Sequence, residues 1–198
     1  MSCARDSFDF YVCGNFLDAA SCNRLIDEIR RSEAGKAMTY GKGDAGSIDE
    51  RTRRVRTALV SKDTIDKVTS RLSEHLPHLR SHFQIELDSF EEPQFLWYSP
   101  GDFFVAHQDG NTRLINLESD RLRRISVSVF LNREGEDEAP DCYSGGALVF
   151  SDRATDNRSV VRGETGKLVA FRSELTHEVT PIKSGNRFAV VTWCRIMA

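Results

Sequence analysis

The sequence predicts an α+β fold in which helices from the first part of the chain pack on one side of a β sandwich or barrel. Helical periodicity is confined to the residues before Phe83, whereas short strand-like segments separated by turn signals follow that residue. No convincing linker divides the two parts, and 198 residues correspond to one domain of ordinary size. We therefore expect a single domain over residues 1–198, with helical support and the first strands in 1–90 and the β core in 91–198.

The first third of the chain combines strand patterns with helix patterns. Residues 8–12 and residues 54–60 have the pattern of short strands. Asp18 can cap a helix that runs to about Ser32, because four apolar residues fall on one face, namely Cys22, Leu25, Ile26 and Ile29. A second helix is predicted from about Lys62, with a buried stripe formed by Ile65, Val68, Leu72 and Leu76.

Beyond Phe83 the sequence alternates between short strands and turns. Strand-like segments are predicted at residues 94–98, 103–107, 125–131, 147–151, 167–172, 177–182 and 187–196. Glycine-containing turns separate most of them, which is typical of sandwiches and barrels. Residues 35–46 contain four glycines and are predicted to form a mobile loop. The acidic residues 133–146 form the longest irregular stretch, a loop that could lie over the mouth of a site.

Composition argues against several classes of protein. The formal net charge is −3, so no basic surface indicates a nucleic-acid partner. The apolar runs are far shorter than the about 20 residues that a membrane span requires. The five cysteines contain no C-x-x-C pair, and the N-terminal residues lack the pattern of a secretion signal. We therefore expect a cytoplasmic protein without a membrane partner, and no feature indicates a particular oligomeric state.

Three of the five histidines lie on or just beyond the second predicted helix. The spacing of His75, His78 and His82 puts them near one helical face, so a metal site must be considered. No carboxylate or cysteine of matching spacing accompanies them. A solvated helix end, where histidine suits the negative pole of the helix, is the favoured interpretation.

His107 and Asp109 lie at the end of an apolar strand and share one side of it, since residues i and i+2 of a strand face the same way. An imidazole and a carboxylate are two parts of the facial triad that binds non-haem Fe(II). His177 is the one histidine outside the helical group that could complete the triad. Taken singly, His107 and Asp109 could be an ordinary polar strand end, and His177 a satisfied core histidine.

Arg187 indicates that an anionic ligand binds near the metal site. It follows His177 by ten residues and begins the final predicted strand, so a hairpin between the two strands would bring it back beside the metal. A guanidinium binds a carboxylate with two parallel hydrogen bonds. A surface charge on the hairpin is the ordinary alternative, but the joint occurrence of these residues favours a metal site with an anionic co-substrate.

These residues belong to a longer pattern. From Leu96 to Trp193 the sequence resembles the Fe(II)/2-oxoglutarate-dependent dioxygenases, in particular their prolyl-4-hydroxylase-like branch. The matching segments occur in the order and with the spacing of that family, and they are Tyr98–Asp109, Arg124–Asn132, Gly145–Phe150, Gly166–Phe171, His177–Val179 and Arg187–Trp193.

The resemblance implies a fold, a set of cofactors and a role for each site residue. The fold would be a double-stranded β-helix, or jelly roll, in the second part of the chain. His107, Asp109 and His177 would be the ligands of Fe(II), with 2-oxoglutarate as co-substrate and O2 as oxidant. Arg187 would bind the distal carboxylate of 2-oxoglutarate, and the hydroxyl of Tyr98 matches one that often shares that carboxylate. Ascorbate is a possible reductant.

The sequence departs from the family pattern at two positions. Many relatives place Ser or Thr two residues after the arginine, where this chain has Ala189, so Tyr98 becomes the expected source of a hydroxyl. Some relatives have a hydroxyl residue where this chain has Leu148. Trp193 matches an aromatic that lines the site in some relatives, although core packing is its favoured role. Because Asp109 retains the carboxylate that halogenating relatives lack, halogenation is disfavoured.

The expected function is hydroxylation of a C–H bond in a prolyl, peptidyl or amino-acid-like substrate, with succinate and CO2 as co-products. Two alternatives stay open: an iron oxidase of the same fold that does not use 2-oxoglutarate, and a non-catalytic metal-binding jelly-roll module. The loops at 35–53, 110–123 and 133–146 are expected to set substrate specificity.

Overall fold

The computed structural model describes residues 8–32, 34–36, 51–111, 118–135, 141–152 and 154–197. Its helices are α1 (Ala19–Arg31), α2 (Lys62–Phe83) and the short α3 (Glu118–Arg121). Its strands, in chain order, are β1 (Phe10–Cys13), β2 (Ala34–Lys36), β3 (Arg53–Arg54), β4 (Arg56–Ala58), β5 (Gln94–Tyr98), β6 (Phe103–His107), β7 (Arg123–Phe130), β8 (Ser144–Gly145), β9 (Leu148–Asp152), β10 (Asn157–Val161), β11 (Leu168–Arg172), β12 (Thr176–Val179), β13 (Ile182–Ser184) and β14 (Arg187–Arg195).

Two antiparallel sheets form the body of the molecule. The larger has seven strands in the order β1-β11-β7-β14-β5-β4-β2, and the smaller has five in the order β10-β9-β12-β6-β3. Strands β13 and β8 pair as a separate two-stranded ribbon. Neighbouring strands are often distant in the chain, as where β14 lies between β7 and β5. This arrangement brings residues from the two ends of the β region into one interior.

The seven-stranded sheet is buried on both faces. One apolar cluster joins one face to the two long helices, and its members include Ile29, Leu72, Val127 and Phe188. A second cluster joins the other face to the five-stranded sheet, and its members include Leu96, Phe150, Val169 and Val179. Because both faces are covered, the last six residues of β7 are all buried. Sequence alternation between the two faces therefore decides which side chains point toward the space between the sheets.

Both long helices begin where the sequence predicts. The Asp18 side chain accepts a hydrogen bond from the backbone N–H of Ser21 at 2.6 Å, and Ser61 caps the second helix in the same way by accepting from Thr64. The apolar stripe predicted for α1 is confirmed by the burial of Cys22, Leu25, Ile26 and Ile29. In α2 the buried residues are Thr64, Val68, Leu72, Leu79 and Phe83, whereas the predicted Ile65 and Leu76 pack half-buried at the edge of the core. None of the helices in the described part of the chain is long and apolar enough to cross a membrane.

Most predicted strands are confirmed, with two instructive differences. Residues 177–182 are divided between β12 and β13, because the chain leaves the five-stranded sheet and joins the ribbon there. Residues 54–60 are likewise divided, since β3 and β4 belong to different sheets. The sequence did not predict β2, β8 or β10. Strand β10 lies at a sheet edge and is mostly exposed, so it lacks the apolar pattern that identifies a strand.

The three loops assigned to specificity are described only in part, since 37–50, 112–117 and 136–140 lie outside the described residues. Where the structure describes them, short elements replace the expected loop. Residues Ala34–Lys36 pair with β4, so the predicted mobile loop does not begin at residue 35. Glu118–Arg121 form α3, and Gly145 pairs with Ile182 in the ribbon.

Candidate functional site

Strands β6 and β12 bring the three predicted metal ligands together. The two strands are antiparallel neighbours, and His177 lies directly opposite His107 in their register. Asp109 follows two residues after His107, and its backbone N–H donates to the carbonyl of Ser173 at 2.9 Å. This contact ties the chain beyond β6 to the segment that leads into β12. The sheet therefore brings residues that are far apart in the chain to a common point.

The hydrogen bonds of the two imidazoles define which nitrogen faces the carboxylate. Nδ1 of His107 is 2.8 Å from the carbonyl oxygen of Val105, and Nδ1 of His177 is 2.9 Å from that of Leu175. A carbonyl oxygen only accepts, so each Nδ1 carries the hydrogen and each Nε2 keeps its lone pair. The two Nε2 atoms lie 3.3 Å and 3.4 Å from the two carboxylate oxygens of Asp109.

Aromatic contacts hold both rings in place. The ring of Phe104 stacks on that of His107 with 3.5 Å between centroids. Phe171 meets the ring of His177 edge-on at 4.7 Å. The side chain of His177 is 7% exposed and that of His107 is 19% exposed. The imidazole orientations are therefore fixed by packing as well as by hydrogen bonds, and His107 lies nearer to solvent.

Burial and mutual attraction set the charges of the group. Burial, together with the nearby His107, lowers the pKa of His177 to about 4, although Asp109 acts in the opposite direction. Burial raises the pKa of Asp109, but the attraction of His177 and His107 outweighs it and holds that pKa well below its usual range. At neutral pH the site thus presents a neutral His177 and an ionised carboxylate, which are the forms that bind a metal.

This donor set fits Fe(II). One ligand atom from each of His107, Asp109 and His177 can be chosen so that all three lie within 4.8 Å of one another. Within the described ranges they are the only group of three such side chains that could hold a metal ion. Two imidazole nitrogens and one carboxylate oxygen are the ligands of the non-haem Fe(II) triad, which leaves coordination positions open for other ligands.

The helical histidines are not part of this group. His82 pairs with Asp9 at 2.9 Å, and Nδ1 of His75 is 3.3 Å from the hydroxyl of Tyr11. His78 is exposed on the same helix. These contacts join the end of α2 to β1, in agreement with the helix-end interpretation.

Arg187 is a buried cation without a carboxylate partner among the described residues. It is 1% exposed, and its Nε has no hydrogen-bond partner there. By contrast, Arg123 is held by Glu91 at 2.6 Å and by Asp120 at 3.2 Å. A buried charge that lacks a counter-ion is expensive, so natural proteins rarely keep one without a use for it. Arg187 therefore provides a ready site for an anion.

Tyr98 lies beside Arg187, as the sequence suggested. The two residues are direct partners on β5 and β14, and the guanidinium carbon is 4.9 Å from the centre of the Tyr98 ring. The ring of Phe130 lies at 5.1 Å from the same carbon. Cations are attracted to aromatic faces. The two rings thus hold the guanidinium in the space between the sheets, and Tyr98 is itself 2% exposed.

Asn132 fixes the strand that carries Arg187. Its Oδ1 accepts from the backbone N–H of Phe188 at 2.9 Å, and its Nδ2 donates to the carbonyl of Asn186 at 2.7 Å. The same Nδ2 donates to the carbonyl of Asp141 at 2.8 Å. One buried amide therefore holds the backbone on both sides of Arg187 and links it to the segment before β8.

We expect Asn132→Ala to lower the free energy of unfolding by about 3 kcal/mol, because one buried and two partly buried hydrogen bonds to the backbone are lost. Urea unfolding measures this change. The matched control is Asn23→Ala on the exposed face of α1, which should change stability by less than about 0.5 kcal/mol. Equal effects of the two substitutions would show that the Asn132 contacts do not hold this region.

Sequence reasoning missed two residues of this region and placed a third differently. Asn132 ends the matched segment after β7, and Tyr143 is fully buried two residues before the Gly145-Gly146 pair. Only the interior position of Tyr143, which depends on contacts distant in sequence, identifies it. Trp193 is half-buried rather than in the core, and the guanidinium of Arg123 lies 3.9 Å from its ring centre.

Comparisons with known proteins agree with this arrangement. A PKHD-type hydroxylase of Shewanella sp. (strain MR-7) is 34% identical over 110 residues, which are 54% of this chain and 44% of that protein. A PKHD-type hydroxylase of Shewanella baltica (strain OS185) is 30% identical over 178 residues, 87% of this chain and 73% of that protein. In several such matches, including the first, the aligned part of the chain spans less than half of the relative's length.

Solved structures share the fold. A Pseudomonas putida prolyl-4-hydroxylase superimposes with a TM-score of 0.72 at 24% identity, covering 97% of this chain and 95% of that one. A Trichoplax adhaerens prolyl hydroxylase in complex with a hypoxia inducible factor peptide fragment gives a TM-score of 0.73 at 17% identity, covering 96% and 84%. These likenesses confirm the predicted double-stranded β-helix.

The family model described as the 2OG-Fe(II) oxygenase superfamily matches residues 93–195 of this chain. The matched range contains β6 and β12, which carry His107 and His177. It also contains Asp109 and the buried Arg187. It also covers more than half of the chain. The chain therefore belongs to the 2OG-Fe(II) oxygenase superfamily, within which it resembles the prolyl-4-hydroxylase-like proteins.

Proposed function

We propose that this chain is an Fe(II)- and 2-oxoglutarate-dependent oxygenase that hydroxylates a C–H bond of a prolyl, peptidyl or amino-acid-like substrate. The observation that carries the proposal is the occurrence of a three-ligand group together with a buried arginine that has no carboxylate partner in the described part of the chain. A structural or sensory metal site needs His107, Asp109 and His177 but has no use for Arg187. An oxidase that works without a dicarboxylate has no use for it either.

The proposed reaction is balanced by its co-substrates. Bound Fe(II) would couple the reduction of O2 to the oxidative decarboxylation of 2-oxoglutarate. One oxygen atom of O2 enters the new carboxylate of succinate, the carboxylate carbon that is lost leaves as CO2, and the other oxygen atom enters the substrate C–H bond as a hydroxyl. Ascorbate would keep the iron reduced between turnovers.

The side chains divide this work among them. His107, Asp109 and His177 bind the metal in a fixed arrangement, since their hydrogen bonds and ring contacts leave little rotational freedom. Arg187, with Tyr98 beside it, binds the distal carboxylate of 2-oxoglutarate. The apolar side chains between the sheets exclude water from this pair.

The relatives support the proposed substrate class. The curated proteins similar to this chain are named PKHD-type hydroxylases, and one structural neighbour holds a peptide fragment. A prolyl or peptidyl substrate is therefore the first class to test, followed by free amino acids. The helices share one apolar cluster with strands of the β core, which supports our proposal that residues 1–198 act as a single domain.

Succinate formation tests the proposed function. Protein loaded with Fe(II) under argon and then exposed to air with 2-oxoglutarate and ascorbate is expected to release succinate, and a suitable peptide or amino acid should increase the rate. Omission of iron should abolish the product. Iron binding without succinate, with or without candidate substrates, would contradict the proposal and favour a binding module. Oxidation of a substrate in the absence of 2-oxoglutarate would favour the iron oxidase.

A further inference from the structure

Two buried hydrogen-bond donors in the interior lack an acceptor. Tyr143 and Arg187 are each 1% exposed. Neither the O–H of Tyr143 nor Nε of Arg187 donates to an acceptor among the described residues, although the guanidinium acts as a donor toward the Tyr143 oxygen. Buried polar groups in proteins are almost always hydrogen-bonded. A guanidinium can only donate, and a hydroxyl beside it is best used as a second donor, so the group missing from this site is an acceptor.

The two side chains converge on the same space. A Cβ atom added at Gly146 would lie 3.2 Å from Cδ of Arg187 and 3.3 Å from Cε2 of Tyr143. A Cβ atom added at Gly163 would lie 2.0 Å from the Tyr143 hydroxyl. Glycine at both positions therefore makes room for the tyrosine. Ala189, the next residue on the same side of β14 as Arg187, offers no hydroxyl.

The charge states suit an anionic ligand. Burial raises the pKa of Tyr143 to about 12, although the neighbouring Arg187 cation acts to lower it. The hydroxyl is therefore protonated at neutral pH and can donate. A cation and an O–H group that face one space match the two oxygens of a carboxylate.

We propose that Tyr143 donates a hydrogen bond to the distal carboxylate of 2-oxoglutarate, which it binds together with Arg187. The inference deepens the proposed function and depends on it. Tyr143 approaches from the segment before β8, and Arg187 lies at the start of β14. Asn132 hydrogen-bonds the backbone on both sides of Arg187 and the carbonyl of Asp141, so it fixes the two donors relative to each other.

Glu134 provides the competing explanation. Its Oε2 is also buried without a hydrogen-bond partner among the described residues, and its charge raises the pKa of Tyr143. A small side-chain rotation could pair the carboxylate with the tyrosine. In that case the Tyr143 hydroxyl would stabilise the folded protein and would not bind the co-substrate.

Binding measurements separate these two roles. Protein loaded with Mn(II) under argon is titrated calorimetrically with 2-oxoglutarate and, in parallel, with 2-oxopentanoate, which has the same chain length but no distal carboxylate. Tyr143→Phe is expected to weaken 2-oxoglutarate binding by about tenfold or more and to change 2-oxopentanoate binding by less than about twofold. Tyr98→Phe makes the same chemical change on the other tyrosine beside Arg187, and its effect should be smaller. Thermal unfolding of the ligand-free Tyr143→Phe protein should match that of the original, since the O–H that it removes has no acceptor among the described side chains and backbone groups.

Each other outcome overturns the inference. If Tyr143→Phe keeps its 2-oxoglutarate affinity but is less stable without ligand, the Tyr143 hydroxyl pairs with Glu134 and does not bind the co-substrate. A larger effect of Tyr98→Phe would assign the carboxylate to Tyr98, and equal losses for both ligands would indicate a general disturbance of the site. Failure of the unsubstituted protein to bind 2-oxoglutarate would overturn the proposed function as well, so the two failures are distinguishable.

Discussion

Replacement of His177 by alanine is expected to abolish metal binding. The imidazole is one of three candidate ligands, and its Nε2 is directed at Asp109 by the hydrogen bond from Nδ1 to Leu175. Loss of residues that merely support metal ligands typically weakens affinity by about 10–100-fold, so loss of a ligand should exceed about 100-fold. The measurement is anaerobic Fe(II) or Mn(II) titration by calorimetry, with His177→Gln as a second variant that fills more of the space.

His78→Ala is the matched control for this experiment. His78 is exposed on α2 and belongs to the helical histidine group. Its removal should leave the affinity for the metal unchanged within about twofold. If His177→Ala keeps the original affinity, or if His78→Ala loses it, the metal site does not lie where His107, Asp109 and His177 meet.

The parts of this site that could be predicted from the sequence obey local periodicity. His107 and Asp109 share a face because alternate residues of a strand do, and Arg187 lies at the beginning of a strand that the apolar pattern identifies. The pairing of His177 with His107 follows once the strands are taken as antiparallel neighbours. The helices were predictable for the same reason, since their capping residues and apolar stripes are local features.

Other features depend on contacts that no local pattern encodes. Tyr143 lies at the end of the acidic stretch 133–146, which the sequence predicts to be a loop. Its burial requires the pairing of β8 with β13 and the space left at Gly163. Strand β10 is mostly exposed and forms only because β9 offers it a free edge. That Arg187 has no carboxylate partner among the residues the structure describes is likewise a property of the interior. These residues carry much of the inferred binding of 2-oxoglutarate, so the co-substrate site was less predictable than the metal site.

Replacement of Arg187 by methionine is expected to separate binding from stability. Methionine is similar in length and apolar, so it fills the space between Tyr98 and Phe130 without a charge. Removal of a charge-assisted, bidentate partner should weaken 2-oxoglutarate binding by about 100-fold or more. Metal affinity and 2-oxopentanoate affinity should stay within about threefold of the original values, because neither depends on the distal carboxylate.

The stability of the same variant should be unchanged or higher in the absence of ligand. A buried charge without a counter-ion opposes folding, and an apolar side chain of similar size removes that penalty. Thermal and urea unfolding of the metal-free protein measure the change. A large loss of stability would indicate that Arg187 has a structural partner instead of awaiting an anion.

Arg123→Met provides the opposite case in the same protein. Arg123 is held by the carboxylates of Glu91 and Asp120, and its guanidinium covers the ring of Trp193. Its replacement removes one cation from two partly buried acids, of which Glu91 keeps Arg195 at 2.7 Å, and this should lower the free energy of unfolding by about 2 kcal/mol. The same substitution should thus lower the free energy of unfolding at Arg123, which has carboxylate partners, and should leave it unchanged or raise it at Arg187. Equal responses would refute the assignment of Arg187 as a binding residue kept at the expense of stability.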